Sequence, residues 1–173
     1  MHMLKILHFL GRIPKPILYA CSTCIAWLLR YVFRYRRSTI IKNLQLAFPE
    51  ISSNERIKIM HDFYTHLSDV IVEFLILAHM THNDLAQHVT VIGKEHLETQ
   101  VKTQQSFLIV GAHQANWEWM VAAISQSCPC PMDALYRPLH NKIMDDFFKQ
   151  TRSRFCSTML PADNAPKAIL KLR

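Results

Sequence analysis

The feature that most restricts the fold is an apolar run placed in a segment of uncompensated positive charge. The run Ile17–Leu29 contains 13 residues without a charged side chain, and Glu50 is the first acidic residue of the chain. Eight of the 20 Lys and Arg residues precede Glu50. The rest of the chain carries the other 12 basic residues and all 13 acidic residues, so its charges nearly cancel. The net charge of +7 therefore comes from the N-terminal segment.

This segment is typical of a membrane anchor, which we predict over residues 1–35. Basic side chains beside an apolar helix attract anionic headgroups by about 1 kcal/mol each. Because a span needs about 20 apolar residues, we favour a monotopic or re-entrant anchor over a marginal span in which Arg30 snorkels. Pro14 and Pro16 before the run disfavour a cleavable signal peptide, and a nucleic-acid-binding arm would be polar.

Several function classes are excluded by the scarcity and spacing of special residues. The three glycines, Gly11, Gly93 and Gly111, are too scattered for a P-loop or a dinucleotide fingerprint. The five cysteines have no spacing of a four-ligand zinc site, so we expect no metal site and reduced thiols in a cytosol-facing protein.

Helix signals dominate the residues that follow the anchor. Apolar residues at helical spacing predict a helix that ends at Pro49. A capping box of Ser52 and Glu55 begins the longest helix, to about His79, and Thr81 with Asp84 forms a second box before a short helix.

From residue 89 the pattern alternates between strands and helices. The predicted strands are Val89–Ile92, Ser106–Ala112, Met132–Tyr136 and Ser157–Leu160. The predicted helices are Lys94–Lys102, Asn116–Ser127, Asn141–Phe155 and a last one capped by Asn164. This order predicts an α/β fold with a partial, mostly parallel sheet and flanking helices. The continuous apolar run Ser106–Ala112 is expected to be buried on both faces.

The chemistry is expected where this apolar strand ends. His113 lies in the turn and Glu118 in the first turns of the next helix, and open α/β sheets bind ligands at strand carboxyl ends. Glu118 would accept a hydrogen bond from one ring N–H and leave the other nitrogen as a general base. With no nucleophile beside His113, the base would activate a substrate hydroxyl. The alternative is a purely structural pair.

The spacing of His113 and Glu118 matches the HX4(D/E) motif of glycerolipid-type acyltransferases. Four more blocks occur in order around it: Asn43-Leu44, Phe48-Pro49-Glu50, Gly93-x-Glu95-His96-Leu97 and, after the motif, Tyr136-Arg137-Pro138-x-x-Asn141. From about Arg36 onward, the chain thus resembles the late acyltransferases of lipid A biosynthesis, the lauroyl/myristoyl transferase family.

The resemblance implies an enzyme on the cytoplasmic face of the bacterial inner membrane. It would move a fatty acyl chain from acyl carrier protein to a hydroxyl of a lipid A precursor, with His113 as the base and Glu118 orienting it. Asn116 and Trp117 would shape the pocket. No cofactor is expected, because the thioester supplies the driving force.

The resemblance also implies roles for basic residues. Arg137 would bind a phosphate, and Arg152 and Arg154 would meet the carrier protein or a lipid phosphate. The alternatives are a surface ion pair for Arg137 and an ordinary solvated face for the other two. Cys156 stands where the family usually has glycine, so the turn there is expected to differ.

Family members continue through a further C-terminal half, so residues 36–173 would be the N-terminal part of the acyltransferase domain. A four-stranded sheet with an unprotected edge would be marginal alone. We therefore expect a truncated, split or degenerate product. It would be either active with a complementary C-terminal fragment or an inactive membrane-associated remnant. A third hypothesis keeps the same family but has the hydroxyl of a phospholipid or glycolipid as the acyl acceptor.

Overall fold

The computed structural model describes residues 2–156 and 158–171, and these are mostly helical. The helices are α1 (His2–Leu10), α2 (Lys15–Trp27), α3 (Arg37–Ala47), α4 (Ser53–Leu77), α5 (His82–His88), α6 (Lys94–Lys102), α7 (Trp117–Ser127), α8 (Lys142–Arg152) and α9 (Ala165–Lys171). A π-helical turn, Leu28–Val32, follows α2, and a 3-10 turn, Ala162–Asn164, precedes α9. The strands are β1 (Ala134–Tyr136) and β2 (Met159–Pro161). The chain divides into two compact units, residues 13–74 and residues 1–12 with 75–173.

In the unit of residues 13–74, α2 packs against α4 along one face. Leu18, Ser22 and Ala26 are the buried residues of α2, and their spacing of four places them on one side of the helix. The Ser22 hydroxyl donates a hydrogen bond to Asp69 of α4. α4 begins where predicted, since the Ser52 N–H donates to Glu55 Oε2 at 2.9 Å and the Glu55 N–H to Ser52 Oγ at 3.2 Å.

The predicted anchoring helix is not confirmed. Among residues 2–156 and 158–171, no single helix is both long and apolar enough to cross a membrane. One pair of helical segments meets the requirements of length and composition together. The pair consists of Lys15–Val32 and Arg37–Ala47, with a bend of 90° between them.

The other unit has its core between helices and the small sheet. Its fully buried side chains include Leu77, Leu85 and Phe147. The Thr81–Asp84 capping box is confirmed at the start of α5. Gly11 lies against α4, and a Cβ there would collide with the Leu75 carbonyl oxygen.

The sheet consists of β1 and β2 paired in parallel, with Leu135 opposite Leu160. This confirms the last two predicted strands as a parallel pair, although both are shorter than predicted, and Ser157 lies outside the described residues.

The two earlier strand predictions, Val89–Ile92 and Ser106–Ala112, are wrong. Neither segment has a ladder partner among the described residues, and both are irregular. Leu108 and Val110 are 75% and 84% exposed, where burial on both faces was expected. An apolar run becomes a buried strand only when neighbouring strands and covering layers meet it, and these are non-local. The α/β prediction is thus confirmed only in part, since the described residues form an α-rich fold with a two-stranded parallel sheet.

Candidate active site

The candidate site is built around the start of α7. Asn116 caps this helix, since the Trp119 N–H donates to Asn116 Oδ1 at 3.0 Å. Ala115 just before the cap has a left-handed backbone, with φ of 48°. This turn separates the exposed His113 from the helix that carries Glu118. The predicted turn and helix start are therefore confirmed, whereas the strand predicted before them is not formed.

His113 contacts Trp117 rather than Glu118. The two ring centroids lie 5.4 Å apart with an interplanar angle of 45°. The Trp117 indole Nε1–H donates to Glu118 Oε1 at 3.2 Å. No hydrogen bond joins His113 to Glu118 within the described part of the chain. Trp117 therefore lies between the imidazole and the carboxylate, in contact with both.

Glu118 is instead paired with Arg152, 34 residues further on. Arg152 Nε donates to Glu118 Oε2 at 2.9 Å, and Arg152 Nη2 to Glu118 Oε1 at 2.6 Å. The side chains of Arg152 and Glu118 are 22% and 8% exposed. Two parallel N–H···O bonds fix the carboxylate plane as well as neutralising its charge. The guanidinium also lies 5.0 Å from the ring of Phe148.

The other two predicted arginines differ from Arg152 in their surroundings. Arg154 donates from Nη1 to the carbonyl oxygen of Leu77 at 3.0 Å and from Nη2 to that of Met80. It thus satisfies the last carbonyl group of α4 and one in the turn that follows this helix. Arg137 follows β1, is exposed, and forms no ion pair among the residues that the structure describes.

Other polar groups near the predicted blocks have structural partners. Asn141 caps α8 by accepting from the Ile143 N–H at 3.0 Å. Asp145 accepts from the Leu139 N–H at 2.9 Å and pairs with Lys149 at 3.3 Å. The pKa of Asp145 is lowered, first by the backbone hydrogen bond and then by Lys149.

Sequence reasoning missed two buried contacts. One is the Glu118–Arg152 pair, for which opposite charge was the only signal. The other is Cys156, whose sulfur lies 3.2 Å from Ser125 Oγ inside the unit. Burial raises the pKa of the Cys156 thiol, so it is a packing group and not an activated nucleophile. Across residues 2–156 and 158–171, no group of three His, Cys, Asp or Glu side chains could hold a metal ion.

Comparison with known proteins gives a family and three informative relatives. The sequence model of the family described as bacterial lipid A biosynthesis acyltransferase matches residues 2–173. The lipid A biosynthesis palmitoleoyltransferase of Escherichia coli K12 is 29% identical over 146 residues, 84% of this chain and 46% of the relative. The lauroyltransferase of the same strain is 25% identical over 90% of this chain and 50% of the relative.

A lipid A biosynthesis acyltransferase of Haemophilus influenzae is 24% identical over 78% of this chain and 42% of that protein. The chain thus spans about half the length of the curated relatives it matches. No solved structure matches.

Proposed function

The chain belongs to the bacterial lipid A biosynthesis acyltransferase family, and from this premise we propose that it transfers a fatty acyl chain from acyl carrier protein to a hydroxyl of a lipid A precursor. The observation that carries the proposal is the family match over residues 2–173, with His113 present in the turn before α7 and Glu118 in its first turn.

The proposed reaction uses His113 as the general base. Its imidazole takes the proton of the acceptor hydroxyl, and the oxygen attacks the carbonyl carbon of the acyl thioester. The tetrahedral intermediate collapses, the C–S bond breaks, and the imidazolium returns the proton to the leaving thiolate. The products are a new ester and the free thiol of the carrier. No metal or dissolved cofactor takes part.

The proposed role of Glu118 is to orient His113 and balance the imidazolium charge. In the structure this carboxylate is fixed by Arg152 and reaches His113 only by way of Trp117. His113 itself is exposed and directly follows segment 106–112, which pairs with no strand in the described part of the chain. We propose that His113 meets Glu118 once this segment is packed as a strand. Asn116 supports this by fixing the start of α7.

Packing of segment 106–112 requires further strands. We propose that sequence corresponding to the unmatched half of the relatives, in the same chain or in a complementary fragment, pairs with this segment and completes the acyl pocket. The consecutive exposed side chains Leu108, Ile109 and Val110 support this, because contiguous exposed apolar patches mark interaction sites.

The three predicted arginines differ in how accessible they are to a ligand. Arg137 is exposed and unpaired within the described residues, so it is the proposed ligand for a phosphate of the precursor or of the carrier's prosthetic arm. Arg152 and Arg154 are engaged inside the protein, which disfavours direct contact with the carrier. The proposed location is the cytoplasmic face of the inner membrane, held by residues 1–35 as a monotopic anchor.

The experiment is an acyl-transfer assay in detergent with acyl-[acyl carrier protein] and a lipid A precursor. The chain is tested alone and fused to the C-terminal half of the Escherichia coli palmitoleoyltransferase. We expect transfer by the fusion and none by the chain alone. A folded fusion that binds the precursor but transfers nothing would contradict the enzymatic proposal and favour an inactive remnant. Transfer to phospholipid instead of the precursor would favour the other acceptor class.

A further inference from the structure

The bend between α2 and α3 places apolar and basic side chains side by side on the surface of one unit. After the π-helical turn Leu28–Val32, the chain turns by 90° and enters α3 at Arg37. Trp27, Val32 and Phe33 are 55%, 54% and 68% exposed. Together with the exposed Leu28 and Tyr31, these side chains form an apolar surface around the bend that favours contact with an apolar phase.

A cavity of about 470 Å³ opens at the same bend. It is lined by Arg34, Arg36, Arg37, Ser38 and Ile41. None of the three arginines forms an ion pair with any described residue. In sequence the first carboxylate is Glu50. The cavity thus concentrates three positive charges without an internal counter-ion.

The backbone of the bend has a defined conformation at the three arginines. Arg34 and Arg36 have left-handed φ angles of 46° and 49°, and the Arg37 N–H donates to the Arg34 carbonyl oxygen at 3.1 Å. Just before the bend, Arg30 Nη2 donates to the carbonyl oxygen of His61 in α4 at 2.8 Å, which ties the bend to the long helix. The backbone therefore fixes where these three exposed arginine side chains begin, and all three line the cavity.

The chemistry of this cavity selects an oxyanion with several acceptor oxygens. Guanidinium groups bind phosphate through paired N–H···O bonds, and the Ser38 hydroxyl adds a neutral donor. The neighbouring aromatic residues distinguish the ligand further. A free anion or a nucleic acid backbone would leave Trp27 and Phe33 in water, whereas a headgroup at a bilayer surface would bury them beside its acyl chains.

We propose that the α2–α3 bend is a binding site for the phosphate of an anionic bilayer phospholipid. Arg34, Arg36 and Arg37 bind the phosphate oxygens, and Trp27 and Phe33 lie at the level of the headgroups. The site rests on the proposed membrane location but not on acyl transfer, so it stands if the chain proves inactive.

The test measures flotation of the full chain with vesicles of phosphatidylcholine alone, of phosphatidylcholine with phosphatidylglycerol, and of phosphatidylcholine with the lipid A precursor. The variant Arg34→Gln/Arg36→Gln/Arg37→Gln is compared with Lys58→Gln/Lys94→Gln/Lys102→Gln, which removes the same charge from exposed helix positions elsewhere. Circular dichroism checks that both retain their helix content.

We expect the arginine variant to lose about 100-fold in affinity for phosphatidylglycerol vesicles, and the lysine variant less than about threefold. Phe33→Ser should weaken binding by a similar factor to vesicles with and without phosphatidylglycerol, because the contribution of the Phe33 side chain is apolar. Equal losses in the two triple variants would overturn the site in favour of net charge alone. Loss of binding only to vesicles that carry the lipid A precursor would also overturn it, since the phosphate would then be that of the substrate.

Discussion

Replacement of Arg152 by Met is expected to destabilise the unit that holds the candidate site. The side chain keeps most of its length, but Glu118 loses two hydrogen bonds of 2.9 and 2.6 Å and its only ion-pair partner among the described residues. Breaking a fully buried pair costs about 3–5 kcal/mol, and an exposed pair contributes only about 0–1 kcal/mol. At 22% and 8% exposure, this pair lies nearer the buried case. We therefore expect a loss of about 2–3 kcal/mol in the free energy of unfolding.

The assay is urea unfolding at pH 7, followed by tryptophan fluorescence, because Trp117 and Trp119 flank Glu118. The matched control is Arg137→Met, which removes an exposed arginine and should change stability by less than about 0.5 kcal/mol. The double variant Glu118→Gln/Arg152→Met should be more stable than the sum of the single losses predicts, because no buried charge is left unpaired. Equal stabilities of the two Met variants would refute the pair as a stabilising contact.

Three further outcomes follow from single contacts. Gly11→Ala should lower the free energy of unfolding by about 1–3 kcal/mol, since the added methyl group meets the Leu75 carbonyl; unchanged urea unfolding would contradict the close approach. The folded-state pKa of Asp145 is depressed, so its stabilising effect is complete above the unfolded value of 3.8 and is lost as pH falls through the folded value. The stability gap between the wild type and Asp145→Asn should therefore close below pH 4, and a gap constant from pH 7 to 2 would contradict this sign. The buried Cys156 should react with iodoacetamide at pH 8 far more slowly in the folded protein than after unfolding in urea, as mass spectrometry of tryptic peptides would show, and equal rates would contradict its burial.

The helices were predictable because their signals are local. The capping boxes at Ser52–Glu55 and Thr81–Asp84 lie within four residues, and both are formed. The bounds of α6 agree with the prediction at both ends. A helix satisfies its backbone hydrogen bonds within its own segment, so the sequence near each end carries the relevant information.

The strands were only partly predictable because a ladder is non-local. β1 and β2 pair in parallel and are connected through α8, as the alternation of predicted strands and helices indicates. Segment 106–112 is mostly apolar, yet Leu108 and Val110 are exposed and no strand among the described residues pairs with the segment. Apolar composition shows that a segment needs to be covered, and it does not specify what covers it.

The candidate site likewise has features that local sequence predicts and features that depend on non-local packing. The cap at Asn116 and the position of Glu118 in the first turn of α7 follow from local sequence. The pairing of Glu118 with Arg152 depends on how α8 packs, and 34 residues separate the two. Arg154 likewise has partners at the end of α4 that no spacing rule indicates.

The measurement that tests the central claim most directly is the rate of acyl transfer by His113→Ala in the fusion with the C-terminal half of the palmitoleoyltransferase. Removal of a general base should lower kcat by about 10²–10⁴-fold, while the control His140→Ala, an exposed residue after β1, should retain the wild-type rate. Circular dichroism and precursor binding should be unchanged in both variants. Turnover by His113→Ala at the wild-type rate would contradict the role of His113 as the base.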